Sequence, residues 1–164
     1  MGPEGSAAGG PDDNTMELRL PARQGNVGVV RVAVAAFASA LPFTLPELEE
    51  LRVAVSEAAG NVVLHAYPDL DAAGGDGGGD GGEMVVRARS TGGALVVEVS
   101  DTGRGIADVA AARQPEFTTS RDPEHLGLGF TFMERFTDAL EVESAPGRGT
   151  RVRMTKRPRA TGTP

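Results

Sequence analysis

The residues best suited to chemistry lie in the run LRVAVSEAAGNVVLHAY, residues 51–67, where Glu57, Asn61 and His65 follow one another at intervals of four. On an α-helix that interval stacks three side chains on one face. Nearly every residue around them is Ala, Val or Leu, so the helix is expected to be packed on both flanks. A carboxylate and a carboxamide one turn apart in such surroundings need partners, because burying them unpaired is costly. A water or hydroxyl suits Glu57, and a metal ion suits Asn61. The plainer alternative is a solvated polar face. Taken alone the helix favours that alternative, since isolated polar groups mark sites only statistically.

Two glycine motifs further on shift the balance. Asp101-Thr102-Gly103-Arg104-Gly105-Ile106 follows a strand-like run, and its glycines permit close approach of backbone to a ligand. Gly127-Leu128-Gly129 opens a helical pattern, where free amides and the helix dipole favour phosphate. Each motif alone is weak, one being a common turn and the other a common cap. The dinucleotide fingerprint fails because no strand immediately precedes Gly127 and no third glycine follows at the right spacing, and a Walker A sequence is absent. His65 reads as a packed helix histidine, and Phe132 and Met133 read as core.

These residues need a scaffold, and the pattern predicts one. Residues 16–20 alternate as a first strand ended by Pro21. Residues 24–41 form a helix with Val27, Val30, Val34, Phe37 and Leu41 on one stripe and Arg31 off it, stopped by Pro42. Thr44-Leu45-Pro46-Glu47 is a capping box that starts the helix bearing Glu57 and Asn61. Residues 70–82 form a flexible Gly-rich loop containing GGDGGGDGG. Two alternating strands, 83–89 and 94–100, meet at Thr91-Gly92-Gly93 as a hairpin. A short helix over 106–113 and a long loop over 114–126 precede a third main helix, reaching about Thr137. Strands 139–144 and 149–155 close the chain. The expected fold is α+β, a two-layer sandwich with a mixed sheet of about five strands and about three helices on one face. Residues 1–14 and 157–164 are expected to be disordered.

Composition narrows the function classes. The chain has 164 residues, enough for one domain with a real core. Aromatics make up 4% and Trp is absent, so the core must be aliphatic. A net charge of -7 argues against a general nucleic-acid binder. The basic residues Arg151, Arg153, Lys156, Arg157 and Arg159 read as a sheet edge and a fraying terminus. With no cysteine, disulfides and thiolate metal sites are excluded. No signal pattern and no long apolar run appear, so a soluble cytoplasmic protein without membrane contact is expected.

In combination and in this order, Glu57-x-x-x-Asn61, Asp101-x-Gly103-x-Gly105-Ile106 and Gly127-x-Gly129 resemble the Bergerat-fold ATP-binding domain shared by gyrase, Hsp90, histidine kinases and MutL. A closer resemblance comes from Ala112-Arg113-Gln114-Pro115-Glu116-Phe117-Thr118-Thr119 and Gly129-Phe130-Thr131-Phe132-Met133-Glu134. Those segments are similar to the serine kinase anti-sigma factors of spore formers, of the anti-sigma F type. The resemblance covers about residues 16–156, which implies one ATP-binding serine kinase and anti-sigma domain over 15–156 with an ATP lid at 114–126.

The resemblance implies roles by position. Asn61 would hold Mg²⁺ against the triphosphate, and Glu57 would be the general base toward a substrate serine. Asp101 would accept the adenine amino group, with Gly103 and Gly105 letting the backbone close on base and sugar. Ile106, Leu128 and Thr150 would also contact ATP or ADP. Thr118 and Thr119 lie in the lid, and Gly127, Leu128 and Gly129 would wrap the phosphates. The family's basic residue before those glycines is replaced by His125-Leu126, which leaves either His125 or Arg121 to meet the γ-phosphate. His125 is only partly charged near neutrality, so lid closure would be pH-sensitive. Arg31 would contact protein partners. The implied partners are a sporulation sigma factor, an anti-anti-sigma protein that is the serine substrate, and a second copy of the chain. A sigma-binding module without turnover, a general-stress anti-sigma kinase and a two-component histidine kinase domain are the competing readings. Retention of Glu57 counts against the first, lid wording against the second, and the lack of a phospho-accepting helical hairpin against the third.

Overall fold

The computed structural model describes residues 13–68, 81–114 and 128–159. Strand β1 (Asn14–Pro21) leads into α1 (Gln24–Ala38) and α2 (Leu45–Asn61), and a π turn (Val62–Ala66) extends α2. Strands β2 (Glu83–Thr91) and β3 (Ala94–Asp101) form the expected hairpin. A single turn, α3 (Val109–Ala112), and α4 (Gly129–Phe136) precede β4 (Ala139–Ala145) and β5 (Gly149–Lys156). The five strands form one sheet in the order β1-β2-β3-β5-β4. The sheet was expected to be mixed, but every pairing among these strands is antiparallel. Each neighbouring pair is joined by a hairpin or runs back across the face, so no parallel crossover arises.

One face of the sheet carries the helices and the other carries charge. On β2, Met84, Val86 and Ala88 are buried while Arg87 and Arg89 are exposed; on β5, Val152 and Met154 are buried while Arg151 and Arg153 are exposed. Register then places Glu17, Arg87, Glu98, Arg153 and Glu141 side by side across all five strands. Their signs alternate, and Glu17–Arg87 closes at 2.7 Å while Glu98–Arg153 closes at 3.3 Å. Such exposed pairs add little stability individually, but a one-residue slip would place like faces in conflict, so they reinforce register. This register also corrects the expectation for the basic C-terminal run: β5 lies between β3 and β4 rather than at an edge.

Helix α2 lies between α1 and α4, over the sheet. Its Ala54, Ala58 and Ala59 are fully buried and let the flanking helices approach closely. Leu51 and Val55 anchor it, and burying a side chain of that size is worth about 1.5–3 kcal/mol. The core is aliphatic as composition requires, with Phe130 its one buried aromatic among the described residues. Arg31 is exposed on α1, off the Val30–Val34 stripe, as expected.

Three boundaries differ from expectation. Helix α1 ends at Ala38, before the Leu41-Pro42 stop, as Ser39 turns its hydroxyl back onto Ala36. Asn14 belongs to β1, where its amide bonds the Ser90 hydroxyl at 3.1 Å, so order begins earlier than residue 15. The C-terminal residues through Arg159 are held rather than frayed, because their backbone donors find carboxylates, one exposed and one buried. The Arg157 amide donates to Asp138 at 2.6 Å, and that of Arg159 donates to Glu47 Oε1 at 2.7 Å.

Glu47 is therefore a junction. Its Oε2 accepts from the Thr44 amide at 2.7 Å and the Thr44 hydroxyl at 2.8 Å, completing the capping box. Beside it, buried Lys156 donates to Glu50 at 2.7 Å and to the Phe136 carbonyl at 2.7 Å. Burial pushes the Glu47 carboxyl up, but the hydrogen bonds from Thr44 and Arg159 outweigh it, leaving it below the ordinary value of 4.5. A carboxylate with a depressed pKa stabilises the fold above its unfolded value and loses that contribution as pH falls through the folded one. Glu47→Gln should thus cost about 1–3 kcal/mol at pH 7. In urea unfolding the gap between wild type and variant should shrink steadily below pH 4.5.

Candidate functional site

Helix α2, the turn after β3 and the start of α4 enclose a cleft of about 820 Å³. That volume is in the range of small-molecule sites. Glu57, Asn61, Asp101, Gly105, Ile106, Leu128, Gly129 and Thr150 all line it. Eight residues singled out from the sequence thus converge, from four separate stretches of chain. Thr118, Thr119, Arg121, His125 and Gly127 lie outside the described residues. Arg31 is on α1 and does not line the cleft.

At one end, Glu57 and Asn61 face the first residue of α4. A Cβ on Gly129 would sit 3.0 Å from Glu57 Oε2 and 3.7 Å from the Asn61 carboxamide. A glycine there keeps the carboxylate and carboxamide open to the cleft. No group of three or more His, Cys, Asp or Glu among the described residues is placed to hold a metal ion. The donor present is the hard Asn61 oxygen, which fits Mg²⁺ bound largely through waters and phosphate oxygens.

At the other end the Asp101 turn is wedged between two backbones. Asp101 Oδ1 accepts from the Gly103 amide at 2.8 Å and the Thr150 amide at 3.3 Å. Burial pushes the Asp101 carboxyl up from its usual value, against those two hydrogen bonds. Its Oδ2 takes no hydrogen bond from a described residue and is free to receive a ligand donor. Gly105 sits at φ 73°, and any Cβ there would overlap the Ala145 carbonyl. Gly103 differs from expectation. It does not line the cleft; its missing Cβ makes room on the other side, for the Ala66 carbonyl.

That carbonyl reaches the turn because α2 does not continue as expected. Residues 62–66 widen into a π turn, a feature common at functional sites. His65 consequently leaves the α-helical row of Glu57 and Asn61, although it still lines the cleft. Ala66 then accepts the Arg104 amide at 2.8 Å.

Two contributors were missed in the sequence. Ser144 accepts the Ile106 amide at 2.7 Å and lies 2.8 Å from the Thr150 hydroxyl, so it fixes the wall beside Asp101. Tyr67 bonds the Thr102 amide at 3.0 Å. Ser144 carried no signal until strand register paired it with Thr150, whereas Tyr67 was visible as the one tyrosine of the chain.

Fold and cleft together define a nucleotide-binding domain of the histidine kinase-like ATPase class. The chain belongs to that family: the model of the histidine kinase-like ATPase domain matches residues 20–156. Within it, the chain belongs with the anti-sigma F factors. It is 43% identical over 144 residues to the anti-sigma F factor of Caldanaerobacter subterraneus subsp. tengcongensis, covering 88% of this chain and 94% of that one. It is 39% identical over 145 residues to that of Clostridium acetobutylicum, covering 88% and 94%. Among solved structures, the RsbU and RsbW domains of Rv1364c from Mycobacterium tuberculosis align with a TM-score of 0.58 at 19% identity, over 88% of this chain and 32% of that one. The histidine kinase domain of the Erythrobacter litoralis EL346 blue-light activated kinase aligns with a TM-score of 0.53, at 19% identity over 84% and 61%. These two share the fold. No helix among the described residues is long and apolar enough to cross a membrane.

Asp101→Asn replaces a half-buried carboxylate acceptor with a carboxamide, one of whose two positions is an N–H donor. The substitution should weaken ADP binding by about 10–100-fold. Isothermal titration with far-UV circular dichroism as the fold control checks this.

Proposed function

We propose that the protein binds Mg-ATP in this cleft, phosphorylates a serine of an anti-anti-sigma protein, and holds a sporulation sigma factor inactive. The observation that carries the kinase reading is the carboxylate of Glu57 one turn from Asn61, open to the cleft beside Gly129. Binding alone needs no base at that point. The relatives' name, anti-sigma F factor, supports the sigma partner.

Each residue then has a task. Asp101 accepts the adenine amino group through Oδ2, while Thr150, Gly105 and Ile106 form the surrounding wall. Leu128 and Gly129 bring the start of α4 against the phosphates. Asn61 would ligate Mg²⁺, which when bound neutralises phosphate charge. Glu57 accepts the proton as the serine oxygen forms its bond to the γ-phosphorus. The bond from that phosphorus to the bridging oxygen breaks, and ADP leaves. Thr118, Thr119, Gly127 and either His125 or Arg121 complete the reading as lid and phosphate contacts. The reaction belongs in the cytoplasm, where ATP and sigma factors meet.

The protein partners need a surface apart from the cleft. On α1, Val29 is 48% exposed and Val32 is 56% exposed, on either side of Arg31 in sequence. Exposed apolar side chains and an exposed cation on one helix suit a protein partner. The reading places sigma contact there and takes the working unit as a homodimer.

Two measurements test this. With labelled ATP, Mg²⁺ and a candidate antagonist, wild type should form phosphoserine. Glu57→Ala should lose about 10²–10⁴-fold in rate while still binding ATP. Absence of transfer by wild type, despite sigma binding, would leave a binding module and refute the kinase. Separately, Arg31→Glu should abolish sigma capture in a pull-down with ATP while leaving ADP affinity unchanged; sigma capture at wild-type strength would remove Arg31 from the interface.

A further inference from the structure

Tyr67 follows the π turn and is the chain's single tyrosine, in a sequence with no tryptophan. Its phenol oxygen joins two segments that are remote in sequence. It donates to the Glu83 carbonyl at 2.7 Å and accepts from the Thr102 amide at 3.0 Å. The Thr102 hydroxyl lies 3.4 Å away. The ring lies flat on Gly82, where a Cβ would overlap ring carbons including Cγ. Tyr67 does not line the cleft and therefore touches no ligand there.

The turn after Asp101 presents three successive amides, and each has a different acceptor. Thr102 donates to the Tyr67 phenol, Gly103 to Asp101 itself and Arg104 to the Ala66 carbonyl. Two of the three are therefore held by the residues that end the α2 extension. Asn61 lies on that same continuous helical segment, six residues before Tyr67.

We propose that Tyr67 is a positioning residue for nucleotide binding, its hydroxyl holding the Thr102 amide and so setting the Asp101 carboxylate relative to Asn61. The proposal rests on the reading that the base sits at Asp101 and the phosphates at Asn61. A nucleotide is a ligand of fixed span, so its affinity depends on the separation of those two ends. Once it is bound, the reacting atoms lie at the Glu57 end, away from the phenol. Loss of the hydroxyl therefore acts on binding and not on the transfer step.

Tyr67→Phe keeps the ring on Gly82 and removes only the hydroxyl. In the full-length protein, calorimetry should show its Kd for Mg-ADP raised by about tenfold, with KM for ATP raised in parallel and phosphorylation at saturating ATP within about twofold of wild type. A filler role for the ring would leave both constants unchanged in Tyr67→Phe. Gly82→Ala displaces the ring and should raise the same Kd, with the double variant no weaker than Gly82→Ala alone. In wild type, all tyrosine emission comes from Tyr67 and should change on titration with Mg-ADP, saturating at the calorimetric Kd. Unchanged Kd and KM in Tyr67→Phe, a loss confined to kcat, or emission indifferent to ADP would each overturn the proposal. If wild type itself binds no ADP, the nucleotide reading fails and carries this one with it. If wild type binds and Tyr67→Phe binds equally, the positioning role alone fails.

Discussion

The cleft depends on a place where backbones touch because no side chains intervene. The turn after β3 runs between the Ala66 carbonyl on one side and the Ala145 carbonyl on the other, and both contacts require a missing Cβ, at Gly103 and Gly105. At Gly105 the backbone also takes a positive φ that side chains resist. Because the flanking groups are backbone, they cannot rotate aside as a side chain would. The turn is therefore fixed to the end of α2 and to the β4–β5 hairpin at once, and Asp101 inherits that fixity.

Everything else serves to hold α2 where the turn can meet it. Small buried residues let α1 and α4 close on it, and its N-terminus is tied down by Glu47. That one carboxylate caps the helix and receives the chain after β5, so the last strand and the first turn of α2 are joined through a single buried group. Lys156 and Glu50 repeat the connection a turn later. A buried charge is costly alone, and here each has its partners. The outcome is a helix held at its start by hydrogen bonds, along its length by aliphatic packing and at its end by the π turn.

This arrangement separates the tasks of the site. The Asp101 end is half-buried and braced by backbone, suited to reading a base. The Glu57 and Asn61 end is open and faces the start of α4, suited to phosphates and an incoming hydroxyl. The proposed partner surface, the exposed side of α1 around Arg31, lies apart from the cleft lining. The proposed function needs a protein-binding surface and a nucleotide cleft on one scaffold. Packing of α1 directly on α2 provides that common scaffold.

The element types were legible in the sequence because their signals are local. Periodicity set the strands and helices, the Thr44–Glu47 capping box marked the start of α2, and the Asp101 and Gly129 glycines marked two walls of the cleft. The likeness to a known family then tied those pieces to ATP. What the sequence could not carry were facts that arise only when distant segments meet. The antiparallel order, the interior place of β5 and the pairing of Ser144 with Thr150 depend on which strands neighbour which. The held C-terminal residues depend on a carboxylate more than a hundred residues earlier. The π turn had no local mark; it is fixed by the bond from Arg104 to Ala66, and it moves His65 out of the row with Glu57 and Asn61. The sequence by itself determined which residues have the chemistry for the site. Tertiary structure decided which of them face the cleft and which, like Gly103 and Tyr67, act from behind it, because orientation is set by contacts between segments and not by order along the chain.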